Sequence, residues 1–569
     1  MAVGSRDVQV AAGDDKRLRK DFGTIGLLFT AVGSIIGSGW LFGALTASEM
    51  AGPASVFSWA VGAVIFILIG LTFAELGTMF PHSGGVARYP QYSHGSFASF
   101  IIGWITWIAA AAVAPIEVLA CVQYAKNYLP WIQTLRDGVP VLTTPGLGVS
   151  IGLMAVFTIV NFFGVRWFAR INNILVWWKL FIIVLVVVAL ITVSFNGDHF
   201  SATAGFAPFG AAGVFSAVSS AGIAFAYLGF RQGVELAGET DNPKRNVPLT
   251  VVGSVVICGV IYVALQFAFI GASPTDAITA EGWSKVGEHI FSGSGTPAEF
   301  GPLAALAGTV GLVWLAGLLY ADAIISPADT GLIYNGVSAR ISYAMGRNRN
   351  APKGLAAVSK NGVPWVSLLL AFVIGCLFFL PFPGWQSLVG FVTSSTVLSF
   401  GAGPLVLLAL RRRLPERERP FRLPAAWVIS FLALWASNLV VYWTGWEKDR
   451  FLFIAVAIGF VLFGINQAVA RGRTPTLHFK NGWWIIVWLG GLCLISYLGG
   501  FGSAADPSKN VGNLDLYGLL GGAIWTFILA AVTVFLAYWF ALPREQIETI
   551  LAEHRGEGGG GEGEVPAEA

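Results

Sequence analysis

Long runs of apolar residues, separated by short polar segments, fill most of this 569-residue chain. A helix needs roughly 20 apolar residues to cross a bilayer, and about fourteen segments meet or approach that length. The eighth of them is longer than one crossing and predicts an additional turn beyond the membrane. The pattern therefore predicts an all-α membrane protein, with spans near residues 24–50, 54–79, 97–128, 147–164, 171–195, 213–238, 246–271, 303–345, 363–380, 385–410, 426–443, 451–470, 483–500 and 515–541.

Composition supports this interpretation and excludes several classes of protein. The chain is 55% hydrophobic and only 11% charged, whereas soluble domains carry about 25% charged residues. No nucleophile motif, metal-ligand cluster or phosphate loop occurs in the sequence, so we expect no enzyme activity, no metal, no cofactor and no nucleic-acid partner. The four cysteines lie in apolar stretches without metal-ligand spacing: Cys121, Cys258, Cys376 and Cys493.

The basic residues predict the orientation. If the N-terminus is cytoplasmic, few of the 34 Lys and Arg residues fall in outer segments, and the cytoplasmic segments hold most of the remainder. That bias is the positive-inside rule, so we predict a cytoplasmic N-terminus, an even number of spans and a multi-pass protein of the cell membrane. The outer basic residues are Lys126, Arg136, Lys285, Lys448, Arg450 and Lys509.

Two glycine-containing segments predict interrupted helices. The first span contains three glycines within the seven residues 33–39, and the sixth contains the segment 225–230, in which Gly229 follows three bulky or aromatic residues. Unwound backbone inside a membrane is tolerated only where it is buried in protein or lines a cavity. Paired interrupted helices in two halves of a chain indicate a transporter site. The alternative is that the glycines only allow close helix packing.

The first segment suits a zwitterion. The free amides of Ser38 and Gly39 would lie at the start of a half-helix, which favours an anion such as a carboxylate. The carbonyl oxygens near Ile35 would favour a cation. The sequence thus predicts that backbone atoms hold both charged groups of a small solute.

Several motifs in order resemble the amino acid–polyamine–organocation (APC) transporter superfamily, and in particular bacterial proton-coupled amino acid permeases. The similarity covers roughly residues 20–410. The motifs are Gly33-Ser34-Ile35-Ile36-Gly37-Ser38-Gly39 in span 1, Ala74-Glu75-Leu76 with Phe80-Pro81-His82-Ser83-Gly84-Gly85 after span 2, Phe225-Ala226-Tyr227-Leu228-Gly229-Phe230 in span 6, Gly238-Glu239-Thr240-Asp241-Asn242-Pro243 after it, and Ala339-Arg340-Ile341-Ser342-Tyr343 in span 8.

The resemblance implies a LeuT-like fold with a five-plus-five inverted repeat. The span pattern and the composition predict a cytoplasmic tail (1–21), four additional helices (411–541) and a cytoplasmic, largely disordered tail (542–569), in which 544–554 form a short helix. The resemblance implies a first repeat (22–195) and a second repeat (213–410). It implies that Ser38 and Gly39 bind an amino acid α-carboxylate, that the carbonyls of Ile35 and Phe225 bind the α-amino group, and that Phe225 is an aromatic gate. The remaining predicted substrate-binding residues are Gly37, Ala226, Tyr227 and Gly229.

Lys179 lies well inside span 5. A charge at that depth costs on the order of 3 kcal/mol and usually has a function. A buried lysine can gain and lose a proton, and it places a positive charge where a sodium ion would otherwise bind. In proton-coupled members of the superfamily a lysine at this kind of position is thought to replace sodium. We therefore predict that Lys179 couples transport to H⁺; the alternative is a structural lysine that snorkels to the cytoplasmic surface.

Arg231 departs from the family pattern, because many relatives carry an acidic residue directly after the Gly-aromatic pair. Two interpretations remain open. Arg231 attracts the acidic side chain of aspartate or glutamate, since arginine binds carboxylates through two hydrogen bonds, or it forms an intrahelical pair with Glu235 at i, i+4. The sequence favours the pair with Glu235.

Further polar residues at membrane depth are candidates for the same site. Glu117 in span 3 is a candidate for proton coupling. Asp322 and Asp329 in span 8 would relay protons, bind a cation or pair with Lys179, and Ser326 lies near where sodium-coupled relatives place a hydroxyl.

The predicted function is secondary active transport of amino acids, as proton symport by alternating access. The alternatives are an amino acid exchanger or a sodium- or potassium-coupled carrier of the same fold. From a different class, a channel or a membrane-embedded sensor is possible, although no repeated filter and no sizeable soluble output domain is visible. The expected partners are a small amino acid and the lipid bilayer.

Overall fold

The computed structural model describes residues 23–81, 85–136, 138–163, 165–201, 205–276, 278, 282–290, 297–347, 351–359, 362–470, 476–501 and 514–559. Within these ranges the chain is almost entirely helical. The α-helices are α1 Thr24–Ile35, α2 Gly39–Ala51, α3 Ser55–Met79, α4 Gly85–Ala111, α5 Val113–Ala125, α6 Thr144–Phe163, α7 Val165–Ser194, α8 Gly210–Ser220, α9 Gln232–Glu235, α10 Pro243–Ala272, α11 Pro302–Thr309, α12 Val313–Arg347, α13 Trp365–Leu377, α14 Trp385–Phe400, α15 Ala402–Arg413, α16 Ala426–Thr444, α17 Trp446–Ala470, α18 Phe479–Gly482, α19 Trp484–Leu498, α20 Leu519–Trp539 and α21 Arg544–Gly559.

Short elements join these helices. Strands β1 (Gln133–Arg136) and β2 (Val139–Leu142) pair antiparallel as a small hairpin. Segments of 3₁₀ helix occupy Gly52–Ala54, Gly197–Phe200, Phe225–Arg231, Ala237–Glu239, Trp283–His289, Ala298–Phe300 and Lys353–Ala356.

The helices confirm the predicted all-α membrane architecture. By length and composition, ten helices in the described ranges are able to cross a membrane, or eleven if a bent pair is counted as one span. The segments Thr24–Ile35 and Trp365–Leu377 are apolar but shorter. Every predicted span overlaps a helix, yet the count of fourteen stays a prediction, as do the domain boundaries.

The most deeply buried helices come from two distant parts of the sequence. The most apolar windows of Gly85–Ala125 and Trp385–Arg413 are completely buried, whereas that of Trp446–Val469 is only 17% buried. Large apolar side chains on the outer helices, such as Phe163 and Leu520, are more than two thirds exposed because they face lipid. The two completely buried spans therefore form the centre, and Thr144–Phe163 and Trp446–Val469, 22% and 17% buried, form part of the lipid-facing rim.

The C-terminal helix is longer than the sequence predicted. It continues to Gly559, into the stretch expected to be disordered. Its first residues follow Leu542, whose backbone N–H donates to the Ser93 carbonyl at 2.8 Å. The rest of the predicted disordered tail, 560–569, lies outside the described residues, as do the tail 1–21 and the motif residues 82–84.

Glu75 near the end of α3 is the centre of a buried ion cluster. Arg411 donates to both of its carboxylate oxygens, at 2.9 and 2.5 Å. Arg419 approaches at 3.2 Å, and the Leu423 backbone N–H donates at 2.7 Å. Glu75 therefore fixes α3 to α15 and to the loop that follows.

Candidate functional site

The first predicted break is present in the structure. Helix α1 ends at Ile35 and α2 begins at Gly39, and Ile36 between them has non-helical dihedrals of φ −83° and ψ 80°. None of the three glycines in this segment has a positive φ. Glycine is required here for space: a Cβ on Gly37 would lie 2.5 Å from the Glu117 carboxylate and 3.2 Å from Thr330.

The second break lies four residues earlier than the sequence predicted. Helix α8 ends at Ser220, and Gly222 adopts φ +90°, a conformation that only glycine adopts readily. The segment Phe225–Arg231 is 3₁₀ helix rather than unwound backbone, and the two parts of this span are bent by 50°. The correction has a physical reason: one residue with a left-handed backbone is enough to redirect the chain.

The two breaks touch each other through atoms close to the backbone. A Cβ on Gly39 would lie 2.9 Å from the Ala226 Cβ. A Cβ on Gly229 would overlap the backbone of Ser34 and Ile35. Both interpretations of the glycines therefore hold, because they allow a break and also bring the two broken helices into contact.

A small cavity lies between these breaks and two neighbouring helices. Its volume is about 10 Å³, which is room for about one water molecule. An amino acid therefore needs the cavity to widen. The lining residues are Ser34, Ile35, Gly37, Val113, Glu117, Phe225, Leu228, Thr330 and Tyr334.

Ser38, the predicted carboxylate ligand, makes two polar contacts at the break. Its backbone N–H donates to Glu117 Oε2 at 3.0 Å. Its hydroxyl accepts a hydrogen bond of 2.8 Å from the indole of Trp385, which also packs edge-on against Phe225. The half-helix N-terminus thus faces a carboxylate, as its dipole favours.

The carbonyl oxygen of Ile35, at the other side of the same break, favours a positively charged group. It accepts a hydrogen bond of 3.2 Å from the Tyr262 hydroxyl. The Gly37 backbone N–H also donates to it, at 3.0 Å. A carbonyl has two lone pairs, so an ammonium group at this break has to displace one of the two donors.

Lys179 lies in the centre of a buried network. Its Nζ is 2.6 Å from Asp329 Oδ2, with both side chains fully buried. The same ammonium donates to the Gly33 carbonyl at 3.1 Å and to the Thr330 hydroxyl at 3.3 Å. This burial contradicts the snorkelling alternative, because a snorkelling lysine keeps its ammonium in water.

Asp322 and Ser326 form a separate contact on the same helix. Asp322 Oδ1 accepts hydrogen bonds from the Trp178 indole at 2.9 Å and from the Ser326 hydroxyl at 2.7 Å. Of the two aspartates in α12, only Asp329 therefore pairs with Lys179, and Ser326 bonds to Asp322 rather than lining the cavity.

Arg231 is buried next to Tyr334, one of the residues that line the cavity. It is 1% exposed, and its guanidinium carbon lies 5.1 Å from the ring centroid of Tyr334. Among the residues that the structure describes, its Nε and Nη2 have no hydrogen-bond partner, and no ion pair with Glu235 is formed. The i, i+4 interpretation therefore finds no direct ion pair among the described residues, although Arg231 is the charge that acts most strongly on Glu235.

The structure brings part of the predicted set together and separates the rest. Ile35, Gly37, Glu117 and Phe225 line the cavity. Tyr227 points away, because its hydroxyl donates to the Trp59 carbonyl at 3.1 Å. The residues that the sequence did not indicate are Ser34, Val113, Leu228, Tyr262, Thr330, Tyr334 and Trp385; their only signal was position on helices that neighbour a break.

Comparisons with known proteins agree with this geometry. The family model described as "Amino acid permease" matches residues 22–451. The chain belongs to the amino acid permease family. This permease is 36% identical to the glutamate/serine transporter AimA of Bacillus subtilis, over 92% of this chain and 94% of that protein. It is 33% identical to the aspartate-proton symporter of the same organism, over 89% and 95%, and 25% identical to its branched-chain amino acid permease BcaP, over 80% and 95%.

The family places the described helices in a LeuT-like fold. The permease is a multi-pass protein of the cell membrane that transports amino acids. In this fold the substrate site commonly lies between interrupted helices, and the cavity described above also lies between two interrupted helices.

Proposed function

We propose that this permease takes up amino acids together with protons by alternating access. The observation that carries the proposal is the contact of Lys179 with both sides of the site. Its ammonium bonds to the Gly33 carbonyl of α1 and to Asp329 of α12. Loss of a proton from this network would remove the charge that holds these helices together.

The same contact argues against sodium as the coupling ion. A fixed ammonium 3.1 Å from the Gly33 carbonyl occupies the space and supplies the positive charge that a bound cation would supply. A second cation at that distance would be repelled strongly in a buried site. The symport named for one relative, the aspartate-proton symporter, supports the same coupling ion here.

We further propose acidic amino acids as substrates. Arg231 presents buried N–H groups without partners among the described residues, next to the cavity-lining Tyr334. An unpaired buried cation is costly unless an anion joins it. An aspartate or glutamate side chain would provide that anion, and both amino acids appear in the names of relatives.

The coupling is tested by uptake into proteoliposomes. Purified protein is reconstituted, and radiolabelled glutamate, aspartate, serine and leucine are offered with an imposed pH gradient, with a sodium gradient, and with neither. We expect accumulation only with the inward proton gradient. Accumulation driven by the sodium gradient would indicate a sodium-coupled carrier. Uptake that requires an amino acid inside the vesicles would indicate an exchanger.

The substrate class is tested by Arg231→Gln, with Arg231→Lys as the variant that keeps the charge. Loss of a charge-assisted pair of about 1.5–3 kcal/mol lowers glutamate uptake relative to serine uptake by about tenfold or more. Arg231→Lys should retain part of the preference because it keeps a donor but not the planar fork. If wild type prefers leucine, or if both ratios stay unchanged, Arg231 does not select the side chain.

A further inference from the structure

Glu117 makes a contact that the proposed transport cycle does not by itself explain. Its carboxylate is fully buried, and Oε2 accepts the Ser38 backbone N–H that begins α2. That N–H is the donor predicted to bind the substrate α-carboxylate. A side-chain carboxylate thus already occupies the anion position of the break.

Two buried polar atoms near this contact, Glu117 Oε1 and the Ser34 hydroxyl, have no hydrogen-bond partner among the described residues. Glu117 and Ser34 both line the cavity. The N-terminus at this contact belongs to α2, a helix of 13 residues. The unpaired polar atoms beside it are available to hydrogen-bond a bound ligand. Permanently structural buried carboxylates are normally hydrogen-bonded through both oxygens.

We infer that Glu117 is an internal substitute for the substrate carboxylate, which closes the clamp until an amino acid displaces it. The inference rests on the proposed amino acid transport and adds a competitor to the same site. Two carboxylates cannot share one buried N–H, because like charges a few ångströms apart are strongly unfavourable in a dry site. The cavity of about 10 Å³ also leaves no room for both.

Displacement has a consequence for charge. The nearby ammonium of Lys179 is already paired with Asp329. The other buried cation, Arg231, lies against the Tyr334 ring and is the group that we propose for the substrate side chain. The other titratable groups facing Glu117 are Tyr262, Tyr334 and Cys121. A displaced carboxylate without a cation has to take up a proton to stay buried. Substrate entry therefore requires neutralisation of Glu117.

The inference separates an amino acid from its decarboxylated amine. An amine with no carboxylate would bind beside Glu117 and use it as its anion, whereas the amino acid has to displace it. Neutralising Glu117 should therefore help the amino acid and should not help the amine.

The test is equilibrium binding to purified protein in detergent at pH 8, without any gradient. The probes are L-serine and its decarboxylated amine, ethanolamine, which has no carboxylate, measured with wild type and Glu117→Gln. We expect at least about fivefold tighter binding of the amino acid to Glu117→Gln, since its neutral amide competes less strongly than a carboxylate, and unchanged or weaker binding of the amine.

Asp449→Asn is the matched control. Asp449 is equally buried and accepts one hydrogen bond of 2.7 Å from Ser496, and its Oδ1 has no partner in the described part of the chain. It should leave the ratio of amino acid to amine binding at the wild-type value. Glu117→Ala, which removes the acceptor entirely, provides a second variant in case the glutamine side chain holds the clamp closed.

Equal weakening of amino acid and amine in both Glu117 variants would overturn the inference and leave Glu117 as a support for the break. Unchanged binding of both would overturn it as well. These results are independent of the uptake experiment: failure of proton-driven uptake with tighter amino acid binding to Glu117→Gln would refute symport and retain the competitor.

Discussion

Two buried centres combine carboxylates with basic side chains, and they differ in how completely their atoms are paired. At Glu75 both oxygens are bound, by Arg411 on each and by Arg419 and the Leu423 N–H in addition. Around Lys179, in contrast, Asp329 Oδ1 and Glu117 Oε1 lack hydrogen-bond partners among the described residues.

The difference indicates different roles for the same chemistry. A buried carboxylate with every lone pair used is fixed, and removing it leaves uncompensated charge. A centre with unused acceptors retains positions for a proton or a ligand, at a cost in stability that function has to justify. We therefore expect Glu75 to act in stability, and the centre around Lys179 to act in transport.

The largest effect on folding is expected for Glu75→Leu. The change leaves Arg419, only 7% exposed, without its buried partner, and breaking such a pair costs about 3–5 kcal/mol. Thermal unfolding of the purified protein should show a much lower melting temperature, with uptake per folded molecule retained. Normal melting together with lost uptake would reverse the assignment of roles.

The next largest effect is expected for Lys179→Met, and it should appear in transport. Removal of the ammonium breaks the contacts to Gly33 and Asp329, and proton-driven uptake should fall by about 5–150-fold, the range of ordinary coupling energies of 1–3 kcal/mol. The double variant Lys179→Met with Asp329→Asn is the control, because it removes the unpaired carboxylate. It should recover folded protein without recovering uptake; recovered proton-driven uptake would rule out Lys179 as the coupling residue.

The smallest effect is expected for Lys244→Gln. Lys244 and Glu418 also lie 2.8 Å apart, but their side chains are 61% and 78% exposed, and exposed pairs contribute little. The hydrogen bond from Lys244, and then its charge, lower the pKa of Glu418. A lowered carboxyl pKa stabilises the fold above the unfolded-state pKa, and that stability is lost as the pH falls through the folded-state value, so the contribution is complete at pH 7.

We therefore expect no measurable change in the melting temperature of Lys244→Gln at pH 7. A shift as large as that of Glu75→Leu would show that the contribution of an ion pair to stability follows the distance between its atoms and does not depend on burial.

Hydrophobic runs were sufficient to predict the helices and the first break, because lipid imposes length and glycines mark the unwound residues. The second break was misplaced since Gly222 stands alone among small residues that are ordinary in packed helices. The 225–230 segment attracted attention through its aromatic residues, although its backbone is helical.

Lys179 was predictable because a charge inside a span is rare, but its partner was not. Asp322 and Asp329 are seven residues apart, or about two turns of one helix, so they share a face and differ by roughly 10 Å in depth. Which of them meets Lys179 depends on how far two helices slide past each other. The same is true of Trp385 and Tyr262, whose contacts with the first break depend on packing between distant segments.

Gly229 rests directly on the main chain of Ser34 and Ile35. In this joint, the three atoms nearest to a Cβ built on Gly229 are all backbone atoms. A displacement of one broken helix would therefore displace the other directly. Val113 and Tyr334 line the cavity but are not part of this joint. If the proposed alternating access is correct, changes at these two residues would alter what is carried and leave the joint in place.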